Sequence, residues 1–285
     1  MTPDRLVRDA AQRLSEAGSP SPRPDAEALW MHASGRDRTW LYTWGDLAWG
    51  KSAGERWRQA RFDALIAARA RGTPVAYLTG EREFWGLALA TSPDTLIPRA
   101  DTETLVQAAL DRAGRSAGRL LDMGTGTGAV ALAFASVRPG WDVLGVDVRR
   151  EAVALARRNA ERLKLHGARF IRSDWFSALG EAAAFDIIVA NPPYIDPDDP
   201  HLAQGDVRFE PRSALVAKDH GRADLRYLID HAGAYLTPDG WLALEHGYDQ
   251  AFAVRTMLAR AGYARVASVR DLGGHERVSL GQRPA

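Results

Sequence analysis

At 285 residues the chain can bury a large core and exceeds the usual single domain, so one large and one small domain are expected. A formal net charge of +1 gives no general pull toward nucleic acid or an anionic membrane. Without cysteine there can be no disulfide, thiolate metal site or cysteine nucleophile.

No apolar run is long enough to span a bilayer, and the charged start after Asp4 lacks the apolar centre of a signal peptide. A cytoplasmic location is therefore expected.

Residues 1–72 read as helices alone. Thr2 caps a first helix with Pro3 at its opening position, and Leu6, Val7, Ala10 and Leu14 share one face before Gly18. Pro24-Asp25 opens a second helix that Gly35 ends. A short aromatic segment (Trp40, Leu41, Trp44) precedes a helix from about Glu55 to Arg71, closed by Gly72. Trp30, Trp40, Trp44, Trp49 and Trp57 all fall in this region. They suit the core of a small bundle, which needs large side chains, and some of them equally suit an exposed docking face.

Residues 73–98 read as a hairpin linker: Gly80 and Gly86 flank Glu83-Phe84-Trp85, and Leu87-Ala88-Leu89-Ala90 follows. Residues 99–285 form the second domain. A helix over about 101–112 precedes an alternation of strand and helix, the mark of a parallel sheet covered on both faces. Strands fall near 119–123, 142–147, 168–172, 185–190, 240–246, 263–269 and 276–281. The helices between them fall near 128–137, 150–163, 222–236 and 249–261. Gly273-Gly274 predicts a turn that brings the last strand back antiparallel.

The chemistry gathers at the carboxyl ends of these strands, where ligands of open α/β sheets bind. The first strand runs into Gly124-Thr125-Gly126-Thr127-Gly128, whose glycines let backbone approach a ligand closely. With Ala129 the run also satisfies a dinucleotide fingerprint. Asp147 ends the second strand, placed to accept from two ribose hydroxyls, although a helix cap before Arg149-Arg150 explains it as well. Asp174 and Trp175 follow the third strand. They suit an adenine amino group and ring face, or a helix cap with a buried aromatic.

Asn191-Pro192-Pro193-Tyr194 ends the fourth strand. The prolines stiffen the backbone, leaving the Asn191 side-chain oxygen and the Pro192 carbonyl as two rigid acceptors. A planar NH2 offers two donors, so the pair suits an amide or a heterocyclic amine, with Tyr194 as a flat packing face. Held by both hydrogens, the nitrogen is oriented toward an electrophile.

The order of glycine loop, Asp147, Asp174-Trp175 and Asn-Pro-Pro-Tyr resembles the class I methyltransferases that use S-adenosylmethionine on planar nitrogens. Within them the chain is similar to the N5-glutamine methyltransferases of peptide chain release factors. The resemblance includes Ser21-Pro-Arg-Pro-Asp-Ala-Glu27, Pro74-Val-Ala-Tyr-Leu-Thr-Gly-Glu-Arg-Glu-Phe-Trp-Gly86, Leu96-Ile-Pro-Arg-Ala-Asp-Thr-Glu103 and Leu121-Asp-Met-Gly-Thr-Gly-Thr-Gly-Ala129. It continues through Asn191-Pro-Pro-Tyr-Ile195, Glu210-Pro211 with Ala214-Leu215, and Leu244-Glu-His-Gly247. Ala100, where the family has proline, is a departure.

The resemblance implies a Rossmann-like, seven-stranded, mostly parallel sheet with a small helical N-terminal domain joined by a β-hairpin. It implies that Gly124–Gly128 pass the methionine part of S-adenosylmethionine, Asp147 the ribose, and Asp174-Trp175 the adenine. Asn191, Pro192, Pro193 and Tyr194 would hold the glutamine of a Gly-Gly-Gln loop, with Asn191 also near the cofactor. The N-terminal domain would help seize the release factor. Arg99 and Glu210 match positions near the active site, or form a surface ion pair. No metal, no direct nucleic-acid contact and a monomer are expected. His246 is the nearest residue to a general base, and a strand-end histidine is more often structural.

Other readings fit less of the chain. A ribosomal-protein glutamine methyltransferase differs in the N-terminal domain and around Ile97-Pro98-Arg99. A DNA adenine methyltransferase calls for a basic recognition region that the sequence lacks. An NAD oxidoreductase leaves Asn191-Pro-Pro-Tyr194 unexplained, and a non-enzymatic adaptor leaves the intact glycine loop and Asn191 without purpose.

Overall fold

Three helices near the start of the chain begin where the sequence supplies a side-chain cap. The computed structural model describes residues 1–180 and 184–285, which divide into two compact units: Met1–Glu81 with Pro200–Phe209, and Arg82–Asp199 with Glu210–Ala285. In the first unit α1 (Pro3–Glu16) is capped by the Thr2 hydroxyl, and α2 (Pro22–Ser34) closes at Gly35. Helix α2 starts two residues before the predicted Pro24-Asp25. Pro22 fills its first turn, and the Asp25 carboxylate takes the Ser19 and Ser21 hydroxyls at 2.8 and 2.9 Å. The aromatic segment is a short helix, α3 (Arg38–Trp44), opened by Asp37 accepting from the Trp40 amide. Helix α4 (Ala53–Ala70) also starts early, because Glu55 is the third residue of a capping box with Ser52. A single turn, α5 (Val75–Thr79), follows.

Leu14, Leu29, Trp30, Phe62 and Ile66 fill the core of this unit. The tryptophans divide into packed and exposed ones. Trp30, Trp40 and Trp49 form one aromatic cluster with ring centroids 5.7–6.0 Å apart, whereas Trp44 and Trp57 are exposed. Arg69, buried on α4, pairs with Asp25 at 2.7 Å and with Asp206 at 2.6 Å. The Asp206 bond fastens the segment 200–209 into the helical unit.

The second unit begins one residue into the hairpin of β1 (Glu81–Phe84) and β2 (Leu87–Ala90). Its Phe84 and Leu89 are buried in the same core as α6 (Glu103–Arg112) and α7 (Ala129–Val137). The main sheet comprises β3 (Arg119–Met123), β4 (Asp142–Asp147), β5 (Ala168–Arg172), β6 (Phe185–Ala190), β7 (Leu236–Glu245), β8 (Ala264–Arg270) and β9 (Glu276–Gln282). Besides α7, between β3 and β4, the helices between its strands are α8 (Arg150–Leu163), the single turn α9 (Lys218–Gly221), α10 (Ala223–Ala232) and α11 (Ala251–Arg260).

The strand order is β5-β4-β3-β6-β7-β9-β8. Strands β3 to β7 pair in parallel, and β9 runs antiparallel to both β7 and β8, as the Gly273-Gly274 turn predicts. The central strands β3 and β6 read as apolar runs because both faces are covered. Leu120, Leu121, Ile187, Ile188 and Val189 are each at most 1% exposed. Burial of each such side chain contributes about 1.5–3 kcal/mol.

Strand β7 is longer than the predicted 240–246. Leu236 pairs with Phe185, and the ladder then skips to Ile187 and Trp241. The turn-like Thr237-Pro238-Asp239-Gly240 is thus carried inside an irregular strand. The predicted helix over 222–236 ends at Ala232 and continues only as a 3-10 turn.

Candidate active site

The sheet order reverses between β3 and β6, and the residues singled out in the sequence meet at the carboxyl ends of these strands and of β4 and β5. A cavity of about 260 Å3 lies there, within the second unit. The loop after β3 is held from below. The Thr125 amide donates to the Val146 carbonyl at 2.9 Å, and the Thr125 hydroxyl donates to Asp122 Oδ2 at 2.6 Å. Asp122 also accepts from the Ala131 amide at 3.3 Å. It is fully buried, and burial pushes its carboxyl up to about 6.

Gly126 and Gly128 show two different needs. Gly126, at φ +55°, has nothing within 4 Å of where a Cβ would sit, so a ligand can approach its backbone. Gly128, at φ +84°, lies against Ala156, Leu132 and Phe170, so it serves helix packing.

Asp147 uses both carboxylate oxygens on backbone. Oδ2 accepts from the Gly126 amide at 3.0 Å and Oδ1 from the Arg149 amide at 2.9 Å. Helix α8 has Arg149 as its N-cap and no side-chain cap, so Asp147 closes a turn ahead of the helix instead of capping it, and each of its oxygens keeps a further lone pair. Burial raises its pKa against the pull of those amides and Arg149.

Asp174 and Trp175 start no helix. They sit in a turn with Trp175 at φ +46°, and both line the cavity. Asn191 and Pro193 line it from the end of β6. Gly124, Thr125, Gly126, Thr127 and Asp147 complete the predicted residues that the cavity brings together. Among the described residues, Gly128, Pro192 and Tyr194 do not line it. Pro192 is buried, and the Tyr194 hydroxyl donates to Glu245 Oε1 at 3.3 Å. Burial and the Glu245 charge raise the Tyr194 pKa well above its ordinary value.

Asn191 Nδ2 donates to the Thr102 hydroxyl at 3.2 Å. Its Oδ1, like the Pro192 carbonyl, accepts no hydrogen bond from the described residues. Arg99 and Glu210 pair with each other, and the Glu210 side chain is fully buried, so this is no surface pair. Glu210 Oε2 also accepts from the Ile97 amide at 2.9 Å, which anchors the Leu96–Arg99 wall of the cavity.

His246 is excluded from the cavity. Its Nδ1 donates to the Gly247 carbonyl and its Nε2 accepts from Ser279, both at 2.8 Å, in full burial that lowers its pKa. The site also contains residues that sequence reasoning gave no role. Asp122 was signalled as a charge inside an apolar strand. Nothing in the local pattern marked Thr102 or Asp224 as a cavity residue. Among the described residues no group of acids and histidines is arranged to hold a metal.

The family models that match are the PrmC N-terminal domain over residues 5–80 and the methyltransferase small domain over residues 100–206. The release factor glutamine methyltransferase of Vibrio cholerae is 50% identical over 282 residues, 99% of this chain and 97% of that protein. The protein of the same name from Escherichia coli is 49% identical over 276 residues, covering 97% of each. A crystal structure of a methyltransferase from Pyrococcus furiosus shares the fold with a TM-score of 0.54, at 20% identity over 70% of this chain and 90% of that one. Half-identity over nearly the whole length, through both units, leads to one assignment: the chain belongs to the release factor glutamine methyltransferase family.

Proposed function

We propose that the enzyme transfers a methyl group from S-adenosylmethionine to the side-chain amide nitrogen, N5, of the glutamine in the Gly-Gly-Gln loop of peptide chain release factors. Family membership supports the reaction and the substrate class. One observation carries the chemistry: Asn191 stands at the cavity with its Nδ2 tied to Thr102 and its Oδ1 without a donor. An amide NH2 brings the two hydrogens that Asn191 Oδ1 and the Pro192 carbonyl lack.

The cofactor assignment fits this site. The open space over Gly126 admits a ligand against the backbone, and Asp147 offers acceptors for a ribose diol. Asp174 and Trp175 supply an acceptor and a ring face for an adenine. Gly124, Thr125 and Thr127 pass the methionine part. S-adenosylmethionine supplies a methyl group on a sulfonium sulfur, which is already a strong electrophile.

The chain's own work is to position the nucleophile. An amide lone pair is delocalised, so fixing both N–H bonds in one plane and aiming the nitrogen in line contributes most of the rate. Asn191 holds one hydrogen at the cavity wall, and the Pro192 main-chain carbonyl is the second acceptor although the proline itself is buried and outside the cavity lining. Pro193 lines the cavity next to Asn191, and Tyr194 stiffens the segment through its bond to Glu245. His246 takes no proton, since both its nitrogens are engaged; as the nitrogen–methyl bond forms and the sulfur–methyl bond breaks, the amide nitrogen gives up one of its two protons to solvent during or after transfer.

The helical unit assists by docking the release factor, for which exposed Tyr42, Trp44 and Trp57 are suitable anchors. This reading takes the enzyme as a monomer acting in the cytoplasm, without direct contact to nucleic acid. No helix of the described residues is long and apolar enough to cross a membrane.

The test is transfer of labelled methyl from S-adenosylmethionine to a purified release factor, beside the same factor with its Gly-Gly-Gln glutamine changed to alanine. Label on the first alone is expected; equal label on both would overturn the target residue. Asn191→Ala should abolish transfer while calorimetry still registers cofactor binding. A variant with undiminished turnover would overturn the two-acceptor arrangement.

A further inference from the structure

Glu245 ends β7, beside the end of β6 that carries Asn191. It is 1% exposed. Oε1 accepts from the Tyr194 hydroxyl at 3.3 Å, and Oε2 is completely buried without a well-formed hydrogen bond. The Thr102 hydroxyl, which accepts from Asn191 Nδ2, lies close enough to Glu245 to favour its charged form. A carboxylate wedged between two hydroxyls that both reach the Asn-Pro-Pro-Tyr segment is costly to bury and is not needed to complete the sheet.

We propose that Glu245 is a positioning residue for methyl transfer, acting on Asn191 through the Thr102 hydroxyl and on Tyr194 through its phenol. A threonine hydroxyl has a single hydrogen. Given to the ionised carboxylate, it leaves the Thr102 oxygen free to accept from Asn191, so the Asn191 amide keeps its NH2 turned away and its Oδ1 toward the cavity. Ionised Glu245 accepts from both hydroxyls and locks both partners. Protonated Glu245 has a donor of its own and cannot accept from both in the same way, so one partner is released.

The groups facing this carboxyl are Tyr194 beyond β6, Thr102 and Asp101 before α6, and Arg277 on β9, with Arg99 acting on Tyr194. Burial outweighs Thr102, Arg277 and Tyr194 and pushes Glu245 up to about 7. The locked state therefore fills as the pH rises through 7.

This inference rests on the amide-transfer reading above. Its test is steady-state methyl transfer to purified release factor from pH 6 to 8.5, comparing the unsubstituted enzyme with Glu245→Gln, Thr102→Val and Thr102→Ser. Cofactor binding and melting temperature are followed in parallel. The unsubstituted enzyme is expected to gain kcat through pH 7. Glu245→Gln mimics the protonated form: its kcat should stay flat with pH and lie about tenfold below the unsubstituted enzyme at pH 8. Its cofactor affinity should be unchanged and its melting temperature equal or higher. Thr102→Val should show the same flattening, and Thr102→Ser should restore the rise.

A Glu245→Gln enzyme with undiminished kcat and the same pH profile overturns the proposal and leaves the amide-transfer reading standing. Equal losses at every pH accompanied by a lowered melting temperature reduce Glu245 to a structural part and also overturn it. An unsubstituted enzyme that labels no release factor at any pH overturns the amide-transfer reading and this inference with it.

Discussion

Replacing Gly126 and Gly128 singly by alanine separates ligand approach from packing within three residues of chain. Both are left-handed, at φ +55° and +84°, where a side chain costs about 1–2 kcal/mol. At Gly128 the new methyl would lie 3.1 Å from Ala156 Cβ and from Leu132 Cδ1, and 3.3 Å from Phe170 Cζ. These neighbours are buried, so overpacking adds about 1–3 kcal/mol. Gly128→Ala should therefore lose about 3 kcal/mol and melt roughly 6–12 °C lower. At Gly126 the methyl meets nothing within 4 Å, so the backbone cost stands alone and the melting point should fall by only about 2–8 °C. That methyl nevertheless takes the space a ligand needs against the loop, and affinity for S-adenosylmethionine should drop about tenfold or more. Thermal melts without ligand and calorimetric titration with S-adenosylmethionine read the two effects separately. Tight binding by Gly126→Ala would refute the place given to this loop, and a Gly128→Ala protein melting like the parent would refute the packing argument.

Three further expectations concern buried charge. Arg69→Leu strands Asp25 and Asp206 without their cation and should cost about 3–5 kcal/mol, read by denaturant unfolding; a loss below 1 kcal/mol would sink the idea that this pair holds segment 200–209. Glu210→Gln keeps an acceptor for the Ile97 amide but loses the charge facing Arg99, so a cost of about 2 kcal/mol with weakened cofactor binding is expected. Unchanged calorimetric affinity would show that the Leu96–Arg99 wall does not depend on the pair. Asp122 titrates near 6 in the folded protein against an ordinary 3.8, so its ionisation opposes folding. Its contribution is complete below pH 4 and is lost as the pH rises through 6. Asp122→Asn should accordingly gain on the parent by about 3 kcal/mol between pH 4 and 7, and parallel stability curves would contradict the shift.

The central strands β3 and β6 were legible because burial on both faces writes apolar runs, and β4 and β5 were legible from the strand–helix alternation around them. The antiparallel return of β9 was legible because Gly273-Gly274 marks a turn. The cavity loop, Asp147 and Asn191 were legible from their places at strand ends. What escaped the sequence depends on partners far apart in the chain. Arg99 and Glu210 stand 111 positions apart, and Asn191 and Thr102 stand 89 apart. No periodicity connects such pairs, so a buried Glu210 and a surface Glu210 look alike before folding. The early start of α4 had a local cause, since Glu55 belongs to the cap and not to the first turn alone. The length of β7 did not, because Leu236 enters the sheet by skipping a register position against Phe185 and Ile187.

The bond between Arg69 and Asp206 bears on how this chain can be cut. Because 200–209 belongs to the helical unit while the residues on either side of it belong to the other, no single scission yields two intact modules. A fragment ending at Glu81 leaves Arg69 without one of its carboxylates, and a fragment beginning at Arg82 carries an Asp206 with no cation to meet it. The helical unit is therefore not a detachable adaptor that could be traded for another by splicing at one point. Exchanging the helical unit by recombination would require two coordinated exchanges, one of them beginning ten residues beyond Ala190, a short loop after the Asn191–Tyr194 segment.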